Sequence, residues 1–202
     1  MVRAIAGSGV MDPRIRAAFR AIPREAFVPG DLEDRAYEDR ALPIGEDQTI
    51  SQPSMIALML DALRPKPTDR ALEVGAGSGY AAAVLSGLVK EVDAVEIRPA
   101  LAERATKTLA ELGVGNAHVH VGNGELGLPA RAPYDVILVS AGAKATPRAL
   151  VEQLAPGGRI AIPVGERRGQ RLLVGRRDGA GVTWERRVHC VFVPLVSSPL
   201  RA

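Results

Sequence analysis

The chain has 202 residues, 47% of them hydrophobic, enough to bury a sizeable core in one domain with a modest N-terminal extension. Its formal net charge is only +3 although the pI is near 9.3, and with aromatics at 3% it has little to stack against bases, which argues against a nucleic-acid partner. The single cysteine, Cys190, excludes an internal disulfide and a thiolate metal site, and no stretch approaches the roughly 20 apolar residues of a membrane span or reads as a secretory signal, so the expectation is a cytoplasmic, metal-free monomer.

The first predicted element is a short amphipathic helix. Asp12-Pro13 supplies a cap and a first-turn proline, Ile15, Ala18, Phe19 and Ile22 follow at i, i+3, i+4, i+7, and Pro23 closes it. Residues 27–48 carry prolines, glycines and dense charge without a sustained period, and read as an extended, loop-like cover over the rest of the protein. A second helix spans residues 53–63 with Ile56, Met59, Leu60 and Leu63 on one stripe, ended by Pro65 and Pro67.

From there short apolar runs alternate with helices: strand 71–75, helix 80–88, strand 92–97, helix 99–112, then strands at 117–121, 135–139 and 159–163 with a helix at 147–154. Alternation of this kind is the mark of βαβ units in a parallel sheet. Beyond Gly165, Leu172-Leu173-Val174 and residues 188–193 flank Asp178-Gly179-Ala180-Gly181, a turn cluster that predicts an antiparallel hairpin. The arginines of this region, Arg167, Arg168, Arg171, Arg176, Arg177, Arg186 and Arg187, read as its solvated surface. The expected fold is α/β with a mixed sheet: residues 1–66 form the helical and substrate-covering segment, and 67–202 the core.

The segment Leu72-Glu73-Val74-Gly75-Ala76-Gly77-Ser78-Gly79-Tyr80 leaves a strand and opens a helix, so its backbone can turn tightly and approach a nucleotide-like ligand. Glu96, with Ile97 beside it, ends the next strand, where a carboxylate can accept from both ribose hydroxyls. A dinucleotide loop reads G-x-G-x-x-G, whereas this one reads G-x-G-x-G behind an acid, and the absence of Gly-Lys-Ser/Thr excludes a P-loop. Glu73 suits a cationic ligand, and S-adenosylmethionine carries an ammonium and a sulfonium. Asn123-Gly124 after the third strand reads either as a plain turn or as an acceptor for the adenine amino group.

The methyl acceptor is narrowed by what is missing. Val139-Ser140-Ala141-Gly142-Ala143 offers no grip on a base amine, Cys190 lies in the late hairpin, and His118, His120 and His189 are scattered on predicted strands. A carboxylate, with a pKa near ~4, is ionised at neutral pH and needs placement more than activation. Ser51, within Gln48-Thr49-Ile50-Ser51-Gln52-Pro53, reads on pattern first as a helix N-cap, a role that does not exclude donating a hydrogen bond to such an acceptor.

These motifs together resemble a known family. Ile22 to Pro29, Ala41 to Gly45, Gln48 to Pro53, Leu72 to Tyr80 and Phe192-Val193-Pro194-Leu195 are similar, in order, to the motifs of protein-L-isoaspartate O-methyltransferases. The resemblance implies a Rossmann-like seven-stranded sheet and methylation of the α-carboxylate of isoaspartyl residues in damaged proteins, using S-adenosylmethionine. It implies that Ser51 is the catalytic residue, that Thr49 and Ile50 line the cofactor pocket with Glu73, Gly75, Gly77, Ser78, Gly79, Glu96 and Ile97, and that Asn123, Gly124 and Gln170 complete it. This chain departs from the pattern at Asp47, Asn123, Leu128, Val191 and Ser197. The residues leave two alternatives open: a relative specialised for another carboxylate, and a cofactor-binding module without transfer activity.

Overall fold

The computed structural model describes residues 1–166, 169–179 and 181–197; Arg167, Arg168 and Ala180 of the expected hairpin region lie outside the described residues. Helices α1 (Val2–Gly7), α2 (Pro13–Ala21) and α3 (Pro53–Leu63) precede the main sheet. Asp12 caps α2 as expected, its carboxylate accepting from the Arg14 amide at 2.8 Å, and Pro53 opens α3. Helix α1 was not legible in the sequence because its six residues bury only Ile5.

Seven strands form one mixed sheet: β3 (Arg70–Val74), β4 (Glu91–Glu96), β5 (Ala117–Val121), β6 (Tyr134–Val139), β7 (Leu154–Val164), β8 (Gln170–Asp178) and β9 (Gly181–Cys190), in the spatial order β5-β4-β3-β6-β7-β8-β9. Strands β3 to β7 pair in parallel, and β8 and β9 return antiparallel. The chain runs from β3 outward to β5 and then crosses back to β6 on the other side of β3. Ligands of open α/β sheets bind at such a reversal, outside the carboxyl ends of the strands.

The larger core packs α1, α2 and α3, with α4 (Tyr80–Ser86) and α5 (Pro99–Glu111), on one face of the sheet. The other face carries a smaller core beneath α6 (Arg148–Glu152). Residues 27–48 depart from the loop-like expectation. A 3-10 turn at Arg24–Phe27 leads into them, and they contain a second at Gly30–Arg35 and the first strand of a hairpin made by β1 (Leu42–Gly45) and β2 (Gln48–Ile50). Strands of four and three residues are too short for periodicity to register. Strand β9 also begins and ends earlier than expected, because an edge strand that is exposed along most of its length shows no apolar alternation. Among the described residues no helix is long and apolar enough to cross a membrane, and no group of three His, Cys, Asp or Glu is placed to hold a metal ion.

Candidate active site

The buried center of the N-terminal segment is Arg24. Its side chain is fully buried, and its guanidinium donates to the carbonyls of Ala36, Glu38, Arg40 and Ser51, the last at 3.0 Å, while its Cζ stands 5.6 Å from the Tyr80 ring centroid. Burial lowers its pKa from the ordinary arginine value. One cation thereby gathers residues 36–40 and fixes the backbone at Ser51. Sequence reading missed this role, since an arginine in a polar stretch gives no sign of burial.

Ser51 is not the cap of α3. Gln52 occupies that position, and Asp39 supplies the capping carboxylate by accepting from the Ser54 amide at 2.9 Å and from Gln52 Nε2 at 3.0 Å. The Ser51 hydroxyl is hydrogen-bonded to none of the described residues, which leaves it available to a ligand.

At the sheet's carboxyl edge the glycine loop turns through three left-handed residues, Gly75, Gly77 and Gly79, with φ of 84°, 53° and 87°. Gly79 lets α5 approach: a Cβ there would lie 3.0 Å from the Ala105 side chain. Glu96 holds the loop with both oxygens, accepting from the Gly77 amide at 2.8 Å and the Arg98 amide at 3.0 Å. A cleft opens here, lined by Thr49, Gly75, Gly77, Glu96, Ile97 and Gly124 among the expected residues, and also by Gln48, Arg98, Ser140 and Val193 to Val196.

The hairpin β1–β2 roofs this cleft. Arg104 donates to the Ile44 carbonyl at 2.5 Å, and Arg98 pairs with Glu46 at 3.5 Å. Gly45, Glu46 and Asp47 all have positive φ, which explains why Asp47 stands where the resemblance has glycine: Asp is among the few L residues that tolerate this region. Thr49 and Ser51 also border a second cleft, with Ala41, Met55, His189 and Cys190 to Val193. Cys190 is therefore nearer to Ser51 than its place in a late hairpin suggested, but burial pushes its thiol up to about 11, so it is no thiolate at neutral pH.

Two expected residues make other contacts than their motifs implied, and a third differs in charge state. Gln170 is 2% exposed, and both ends of its amide are engaged: Oε1 accepts from the Phe192 amide at 2.7 Å and Nε2 donates to its carbonyl at 3.1 Å. It anchors the segment that lines the cleft. Asn123 uses its Oδ1 to accept from the Glu125 amide at 2.9 Å, which is the turn-capping alternative, and the residue it delivers to the cleft is Gly124.

Glu73 is the third. It was expected as a fixed negative charge, but it is fully buried at the end of β3, where burial, with Glu96 nearby adding to it, raises its pKa to about 8 despite a 2.8 Å hydrogen bond from the Ser140 hydroxyl. Its Oε2 is buried with no partner, and the residue lines the space shared by Thr49, Ser51, Gly75 and Gly77. An orphaned acidic oxygen behind a glycine loop fits an ammonium group. Because the folded pKa lies above the ordinary 4.5, the neutral form stabilises the fold most at low pH, and that contribution is lost as pH rises from about 4.5 through about 8. A Glu73→Gln protein is expected to overtake the unsubstituted one by a few kcal/mol, roughly, as pH goes from 5 to 9. Parallel denaturation curves at all pH values would contradict this.

The family model for protein-L-isoaspartate(D-aspartate) O-methyltransferase matches residues 1–199. The chain is 54% identical over 196 residues to a protein-L-isoaspartate O-methyltransferase of Roseiflexus sp. (strain RS-1), covering 97% of this chain and 90% of that protein. It is 48% identical over 192 residues to the one of Methanoregula boonei, covering 95% and 88%. A solved protein-L-isoaspartate O-methyltransferase superposes with a TM-score of 0.86 at 31% identity, over 96% of this chain and 64% of that one. The fold is also that of a Plasmodium falciparum structure described as a complex with S-adenosyl-L-homocysteine, with a TM-score of 0.82 at 24% identity over 97% and 96% of the two chains. With its model matched along almost its whole length and close relatives covered nearly end to end, this chain belongs to the protein-L-isoaspartate(D-aspartate) O-methyltransferase family.

Proposed function

We propose that this chain methylates the α-carboxylate of L-isoaspartyl residues in damaged proteins, drawing the methyl group from S-adenosylmethionine. The observation that carries this reading is the position of Thr49 and Ser51 between the glycine-loop cleft and a second cleft. S-adenosylmethionine, when bound, supplies an electrophilic methyl group on a sulfonium. Gly75 and Gly77 would give its chain close access to the backbone, Glu96 would accept from the ribose hydroxyls, and Glu73 Oε2 would receive the ammonium, which would draw the carboxyl toward its ionised form. Thr49, Ile50, Ile97 and Gly124 complete the walls.

On the acceptor side no general base is required, because a carboxylate is already nucleophilic. Ser51 would donate its free hydroxyl to one carboxylate oxygen and so orient the other toward the methyl group, while Met55 and Phe192 supply apolar surface to the second cleft.

A methyl-transfer assay comparing an isoaspartyl peptide with its aspartyl twin tests the reaction and acceptor together. Turnover of the isoaspartyl peptide alone is expected, and equal turnover of both would refute the acceptor. Ser51→Ala should lower kcat about 10- to 100-fold with cofactor affinity unchanged, since a placement contact is lost and no proton carrier is removed. Unchanged kcat would remove Ser51 from the mechanism.

A further inference from the structure

The arginines of the last hairpin are used by nothing described so far. Along β8, Arg171, Leu173, Gly175 and Arg177 alternate onto one face, and the register places His189 beside Arg171 and Arg186 beside Leu173. Arg171, Arg186 and His189 therefore share one face at the end of the hairpin that adjoins the active-site edge. All three are exposed, and none forms a salt bridge with any described residue.

The hairpin's own carboxylates do not neutralise them. Asp178 pairs with Arg176 at 3.6 Å, and Glu185 with Arg187 at 2.7 Å on the opposite face. His189, which stands on this face, and the exposed Val191 also line the second cleft, so the face meets the active-site edge at His189, while Leu173 packs on the smaller core and puts Arg171 and Arg186 on the side of the sheet opposite Met55. Strand β9 is the last in the sheet and has no neighbour on its outer side among the described residues, leaving an edge on which an extended polypeptide can lie.

We propose that this face docks an acidic stretch of the substrate polypeptide, so that the enzyme prefers isoaspartyl sites flanked by Asp and Glu. The inference rests on the function proposed above, with the second cleft as the acceptor site. An extended segment leaving that cleft along β9 presents alternate side chains to Arg171 and Arg186, and each exposed pair adds a modest, salt-sensitive attraction.

Three isoaspartyl peptides identical but for Glu, Ser or Lys at the flanking positions test it. At low salt the Glu peptide is expected to show a KM roughly five- to tenfold below the Ser peptide, with similar kcat, and the Lys peptide a higher KM. In an Arg171→Gln/Arg186→Gln protein the three KM values should converge, with the Ser peptide unaffected. For the unsubstituted protein the Glu preference should also collapse in about 0.5 M salt, a readout that needs no variant. A preference that survives both the substitutions and the salt overturns the proposal, as does its absence. Oligouridylate bound through the same arginines, without any peptide preference, overturns it in favour of nucleic acid. No turnover of the Ser peptide would instead sink the methyltransferase reading itself.

Discussion

Arg24→Met is expected to cost about 3 kcal/mol of stability, read as a lower urea midpoint at unchanged slope. Two effects oppose each other. Removing a buried guanidinium recovers desolvation energy, which its lowered pKa registers. Against that, four carbonyls lose their donor, and a buried acceptor left unpaired costs about 1–3 kcal/mol. Four such losses outweigh one recovered charge even if water reaches half of them. Arg24→Lys separates geometry from charge, because an ammonium cannot span four separate carbonyls as a planar fork does. It should still fold, yet turn over at least about tenfold more slowly, since the Ser51 carbonyl loses its tether. A lysine variant with full activity would show that the tether does not matter.

Glu96→Ala is expected to weaken cofactor binding about 100-fold by calorimetry, the larger effect on affinity available at this site. A carboxylate accepting from hydroxyls contributes about 1.5–3 kcal/mol per charged hydrogen bond. The same side chain also holds the Gly77 and Arg98 amides, so its removal loosens the loop that the ligand rests on. Glu96→Gln divides the two contributions, because its amide retains one acceptor oxygen but adds a donor facing a backbone N–H. Affinity within threefold of the unsubstituted protein for both variants would exclude Glu96 from the ribose site.

What the sequence revealed follows the range of the forces involved. The glycine loop, Glu96 and the βαβ alternation are local patterns, written in consecutive residues, and their positions in the fold match the expectation. Helix α3 was read to its terminal residues because Pro53 and Pro65 punctuate it. By contrast, Arg24, Gln170 and Arg98 act across 12 or more residues in sequence, on partners that no spacing rule connects to them. Charge states were also hidden. Glu73 looks acidic as a letter, and only its complete burial shows that the carboxyl is neutral below a pH of about 8.

The three-residue strand β2 has a kinetic consequence. Thr49 borders the hollow on either side of it, so the partition between donor and recipient is a single extended peptide. A divider that thin allows both reactants to be resident together and the methyl to pass directly, without a covalent stop on the protein.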